Sequence, residues 1–209
     1  MTKAPLVPAP PPNRQFADIE DTVARPPISM RVTHLAALIL GLYAVTFVPF
    51  VLVSPIPSAV GALTAVLAGI LVALTVTDLR RLILPDTLTG LLAAAGVVAT
   101  VILGTSSLTI NSAAGVVAGI LLLGLNAAYR RLRGRDGLGG GDVKLVAATA
   151  LWLGPWGLPT LLLWACATAM IEVLVRLVQS GRLTADSRIP FGPHLAYGTW
   201  LVWLYGPLQ

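Results

Sequence analysis

Two aspartates stand at the edges of apolar runs, where an acid is costly. Asp142 closes the glycine run in Gly137-Leu138-Gly139-Gly140-Gly141-Asp142-Val143-Lys144 and opens an apolar segment; Asp78 ends another. An ionisable side chain in such a place is a functional-site candidate. Three consecutive glycines beside Asp142 allow backbone conformations that a Cβ forbids and let another chain come close. Alone, that run reads as a flexible loop whose aspartate caps the next helix. A second acid in a similar setting turns the reading toward a pair. Two carboxylates within a few ångströms cannot both ionise easily, so they share a proton and titrate as a unit. The ionised member can take a proton from water while the neutral one protonates a departing amine. This chemistry hydrolyses an amide and calls for neither metal nor cofactor. No Ser/His/Asp arrangement competes, and the glycine run fits neither GxxxxGK[ST] nor GxGxxG.

The elements that must position the pair are membrane helices. The chain has 209 residues, 56% of them hydrophobic and only 11% charged, with mean hydropathy +0.84. Soluble domains carry about 25% charged residues, so the composition predicts an all-α, polytopic bundle in a lipid bilayer. The one cysteine, Cys166, lies in an apolar run and reads as a small buried residue, which excludes a disulfide framework and a cysteine-based zinc site.

Taken in order, residues 1–31 are polar and proline-rich and read as a disordered cytoplasmic tail. Lys3 is followed by prolines instead of an apolar run, which argues against a cleaved signal peptide. Residues 32–54 form an additional N-terminal transmembrane helix, and a crossing needs ~20 apolar residues. Residues 55–209 form the main membrane-embedded domain. Its crossings are expected over 58–77, 87–103 and 110–129, then over 143–177, which is too long for one span. The segment Gly154-Pro155-Trp156-Gly157-Leu158-Pro159 is expected to break it into a hairpin, with 194–205 as the last helix.

About seven crossings with the N-terminus inside put every basic residue on one side. Four lie in the tail, two beside Asp78 (Arg80, Arg81), five around the glycine run (Arg130, Arg131, Arg133, Arg135, Lys144) and three at the last loop (Arg176, Arg182, Arg188), which accounts for all 14. Basic charge therefore reports topology and not nucleic-acid binding. The same topology brings Asp78, ending one crossing, and Asp142, beginning another, to the cytoplasmic face.

The segments Asp78-Leu79-Arg80-Arg81-Leu82-Ile83-Leu84-Pro85-Asp86-Thr87-Leu88-Thr89 and Gly137-Leu138-Gly139-Gly140-Gly141-Asp142-Val143-Lys144-Leu145 resemble the two signature segments of type IV prepilin peptidases. These are membrane aspartic proteases of the GxGD type. Ile189-Pro190-Phe191-Gly192-Pro193-His194-Leu195-Ala196 resembles that family's C-terminal motif. The resemblance implies that Asp78 and Asp142 are the catalytic pair, with Gly139, Gly141, Lys144 and Asp86 as motif support. It implies cleavage of short basic leaders from prepilins or pseudopilins of type IV pili or type II secretion, at the cytoplasmic face of the bacterial inner membrane. Many members carry an N-terminal domain with paired CxxC motifs associated with N-methylation. With Cys166 as its one cysteine, this sequence is expected to cleave without methylating.

Other polar residues have plainer readings. Asp86 follows Pro85 and reads as a cap for the next helix. Lys144 either holds the charge of Asp142 or meets lipid phosphate. Glu172 and Arg176, four apart, read as an ion pair on one helix. His34 and His194 read as ordinary interfacial residues, and the five tryptophans as membrane anchors or packing. The rival function is a proton- or ion-coupled transporter using the same two acids. Their position at one face, and the lack of an internal repeat, weigh against it.

Overall fold

The computed structural model describes residues 41–52, 57–104, 107–134, 137–180 and 190–208. The expected tail, the start of the extra crossing, His34, Arg135, Asp136 and the loop 181–189 lie outside the described residues. Six helices make up the described chain: α1 (Gly41–Leu52), α2 (Ser58–Arg81), α3 (Asp86–Leu103), α4 (Leu108–Arg133), α5 (Gly140–Ser180) and α6 (Gly192–Tyr205). There is no strand among the described residues. Helices α2 to α5 are each long and apolar enough to cross a membrane.

The distribution of side chains is that of a protein solvated by lipid. Helix α4 exposes Ile110, Val116, Val117, Ile120, Leu121, Leu123 and Leu125, and the residues it buries are Asn111 and Gly115. Without a hydrophobic force between helices, small residues and interhelical hydrogen bonds carry the packing. A Cβ at Gly115 would stand 2.7 Å from the Ala147 carbonyl oxygen, and one at Gly198 2.7 Å from that of Leu161. The apolar centre is Leu67, Leu71 and Leu74 on α2, Leu145 and Leu161 on α5, and Leu195 on α6, all at most 1% exposed.

Helix α5 is two arms joined at Gly154, whose φ of 67° and ψ of −178° belong to a region that only glycine enters readily. Pro155 has no N–H to offer the Leu151 carbonyl one turn back. That oxygen is taken instead by Thr100 Oγ1 at 2.6 Å and Asn111 Nδ2 at 3.3 Å. The sequence spreads this break over residues 154–159; the non-helical geometry falls on Gly154, and helix resumes at once. The first arm runs away from Asp142 along α3 and α4. The second returns beside α6, from Thr160, which accepts the Leu208 N–H, to Glu172, which meets His194. Asp142 and Glu172 thus lie at the same end of the bundle.

Helix α1, for which the sequence suggests no role, packs on α6. The Tyr43 and Trp200 rings lie 5.3 Å apart, Trp200 Nε1 donates to Thr46 Oγ1 at 3.0 Å, and the Tyr205 hydroxyl donates to the Thr46 carbonyl at 2.6 Å. Trp152 and Trp203 are likewise packing residues, donating to the Leu92 carbonyl and Thr64 Oγ1. Cys166 departs from its expected place: it is exposed on α5, not buried.

Candidate active site

Asp78 lies in the last turn of α2 and is 6% exposed. The helix ends three residues later at Arg81, and the next residue, Leu82, adopts a left-handed φ of 53° and donates its N–H to the Asp78 carbonyl at 2.7 Å. A bulky residue in that conformation is strained. The reversal carries Leu84 inward, where it is 7% exposed, before Pro85 opens α3. Leu84 then lies on Gly141, where a Cβ would stand 2.9 Å from its own. The connection after one aspartate therefore packs on the glycine before the other.

Asp142 occupies the third position of α5. The Gly139 carbonyl accepts the N–H groups of Asp142 and Val143 at 3.1 and 3.4 Å, which makes Gly139 the cap residue. The Asp142 carboxylate in turn accepts the Gly139 N–H. This reciprocal bond is the returning half of a capping box, and it ties the carboxylate to the glycine run. A Cβ at Gly139 would stand 3.0 Å from Asp142 Oδ2. The run itself is fastened to α4: Asn126 Oδ1 accepts the N–H groups of Gly137 and Leu138 at 2.9 and 3.0 Å.

The two acids come together. Asp142 feels the charge of Asp78, although 64 positions separate them in the sequence. A third element closes on Asp78: the Gly192 N–H, the first of α6, donates to its Oδ2 at 3.1 Å. Helix starts leave their first N–H groups without intrahelical partners. Pro193 has none to offer, and the His194 N–H turns back to the Phe191 carbonyl at 3.1 Å. Each carboxylate is thus met by the N-terminal end of a helix, where the dipole is positive. Among the described residues no group of three or more His, Cys, Asp or Glu side chains is placed to hold a metal ion.

The support residues fall out differently from the sequence reading. Lys144 pairs with Asp86 at 2.6 Å, and both side chains are mostly exposed. An exposed pair contributes ~0–1 kcal/mol, but it links the starts of α3 and α5 beside the site. Asp86 makes no side-chain cap; Pro85 holds the cap position.

Residues 65–174, a stretch containing both aspartates, match the type IV leader peptidase family. The chain belongs to that family. Curated relatives include a "Prepilin leader peptidase/N-methyltransferase" of Aeromonas hydrophila, 39% identical over 149 residues, covering 70% of this chain and 50% of the relative. A protein of the same name from Dichelobacter nodosus is 33% identical over 136 residues, covering 65% and 46%. The chain spans about half the length of the curated relatives it matches. No solved structure matches it.

In this leader peptidase family member, three features escaped the sequence reading. Gly192 stands in the C-terminal motif with no role that its type suggests, yet a Cβ there would stand 2.5 Å from Asp78 Oδ2. Asn126 gave no signal beyond being an amide near a helix end. His194 is not an ordinary interfacial residue. It is buried, with Nε2 2.8 Å from Glu172 Oε2 and Nδ1 3.1 Å from Thr168 Oγ1. Glu172 also keeps the expected Arg176 partner.

Proposed function

We propose that this chain is an endopeptidase that removes short basic leaders from type IV prepilins or pseudopilins, with Asp78 and Asp142 as its catalytic pair. The observation that carries the reading is the convergence of two acids from separate helices, within the stretch that matches a leader peptidase family. One carboxylate takes a proton from water as the oxygen adds to the scissile carbonyl. The other gives its proton to the departing amine, so the pair ends with the one proton it began with, now on the opposite carboxyl, ready to be shared again. The hydrogen bonds from Gly139 and Gly192 hold the carboxylates without occupying every oxygen lone pair.

The site faces the cytoplasm of a bacterial inner membrane crossed about seven times, with the N-terminus inside. Supporting this, Arg80 and Arg81 end α2, and Arg130, Arg131 and Arg133 end α4, all at the end of the bundle that holds both aspartates. The two arms of α5 and the shorter helices α1 and α6 supply the crossings beyond one for each of α2 to α4. In this reading residues 55–209 are the peptidase unit, 32–54 an added helix and 1–31 a cytoplasmic tail. The curated relatives' printed name also includes N-methylation; the reading assigns this chain cleavage alone. A transporter would need acids strung along a path, whereas these two share one level.

Co-expression with a candidate prepilin tests the proposal. The expected result is a leader-sized mobility shift, with N-terminal sequencing of the product placing the cut after the basic leader. An unshifted prepilin across a panel of type IV prepilins and pseudopilins would contradict it.

A further inference from the structure

The first turn of α6 supplies the Gly192 N–H to Asp78, so whatever fixes that turn fixes the carboxylate. Packing deeper in the helix does not do this alone. Gly198 lies on the Leu161 carbonyl, and Trp200 and Tyr205 hold α1, but these contacts begin more than a turn beyond Gly192. At the first turn itself Leu195 is buried in the apolar centre, and the directional tie beside Gly192 is polar. His194 reaches from α6 to Glu172 at 2.8 Å and to Thr168 at 3.1 Å, both on the second arm of α5. The other Glu172 oxygen is held by Arg176. A carboxylate inside a membrane helix is costly unless partnered, and the histidine that partners this one lies two residues along α6 from the backbone group that touches Asp78.

We propose that Glu172 and His194 are a positioning pair for Asp78: they pin the first turn of α6 to the second arm of α5 and so keep the Gly192 N–H on Asp78 Oδ2. Neither side chain touches the reacting atoms. The inference rests on the reading of Asp78 as catalytic. The geometry leaves little slack, because the Gly192 Cα lies against the Asp78 carboxylate with no room for a methyl group. A shift of the turn must therefore either break the hydrogen bond or push the carboxylate away from Asp142.

The test is steady-state cleavage of a prepilin by the full chain in detergent or liposomes. It uses Glu172→Ala, His194→Ala, the double variant, and the exchange Glu172→His with His194→Glu. A displacement of ~1 Å at a reacting group costs about two orders of magnitude. Each single variant is expected to lower kcat tenfold to a hundredfold while KM stays within about twofold. The double variant should be no worse than the single ones, and the exchange should recover most of the lost kcat. Where an alanine variant does not accumulate, Glu172→Gln and His194→Gln replace it, each keeping one hydrogen bond and an intermediate kcat. Wild-type kcat in the single variants, multiplicative loss in the double, or an exchange no better than the singles would overturn the proposal. Asp78→Asn runs alongside. If it is inactive while the Glu172 and His194 variants cleave normally, the pair loses its role and the aspartate reading stands. If Asp78→Asn cleaves normally, both readings fall.

Discussion

At the residue scale, the site depends on where side chains are absent as much as on where acids are present. Gly192→Ala would place a methyl carbon 2.5 Å from Asp78 Oδ2, with the backbone and the carboxylate both unable to retreat freely. A hundredfold or greater loss of kcat is expected, since ~1 Å of misplacement has that effect. Gly140→Ala is the internal comparison, because a Cβ there meets nothing within 4 Å; it should retain activity within a few-fold. Gly141 and Gly137 lie between these extremes. A Cβ at Gly141 would meet Leu84, which is buried, whereas one at Gly137 would meet the partly exposed Tyr129 ring, which has somewhere to go. Kinetics of the four alanine variants, with protein levels checked, measure this order. Equal activity across the series would count against the geometry. Asp78 and Asp142 were legible in the sequence because acids beside long apolar runs are anomalous by type. Gly192 was not, because the need for its N–H arises 114 positions away. The sequence held one signal, a proline at the second helical position that leaves the preceding N–H as the available donor.

At the element scale, the hairpin of α5 decides which residues can meet. Its first arm carries Asp142 and its second carries Glu172, and Gly154 returns the second to the level of the first. Gly154→Ala puts a Cβ on a residue with φ of 67° and ψ of −178°, 3.1 Å from Asn111 Oδ1. Conformations of this kind cost about 1–3 kcal/mol for other residues, so a lower thermal midpoint in detergent is expected. An unchanged midpoint would show that the reversal tolerates a side chain. The breaks between helices were legible because glycine and proline mark them. The His194–Glu172 contact was not. Glu172 already had Arg176 four residues on, which supplied a sufficient local partner, and nothing in a linear pattern shows that a histidine 22 positions later arrives beside it. Likewise the Lys144–Asp86 pair joins helices whose adjacency only packing creates.

At the scale of the whole molecule, the claim is an orientation. The arginines ending α2 and α4 share one end with both aspartates, and Gly104 marks the opposite end of α3. With Cys166 replaced by serine, an impermeant thiol reagent applied to intact spheroplasts should label Gly104→Cys. It should label Arg133→Cys only after lysis. The reverse pattern would place the site on the outer face and remove access to cytoplasmic leaders. The membrane class was legible from composition, and the all-helical architecture followed from it. The level at which each helix stops was less so, because α4 runs to Arg133 and α5 starts at Gly140, past the apolar runs that mark a crossing.

The most direct test of the central claim is cleavage of a prepilin by Asp78→Asn, Asp142→Asn and the double variant, across pH and with a chelator present. Asparagine keeps the shape of the side chain but cannot take a proton from water or share one with a partner. Each single variant should insert and fold yet lose cleavage, and the double should be no worse, because the two acids act as one unit. Wild-type activity should fall at low pH, where both carboxyls are protonated and no base remains. It should fall again at high pH, where both are ionised and no acid remains. Chelation should leave it unchanged. Near-wild-type cleavage by either single variant, or its arrest by a chelator, would contradict the account.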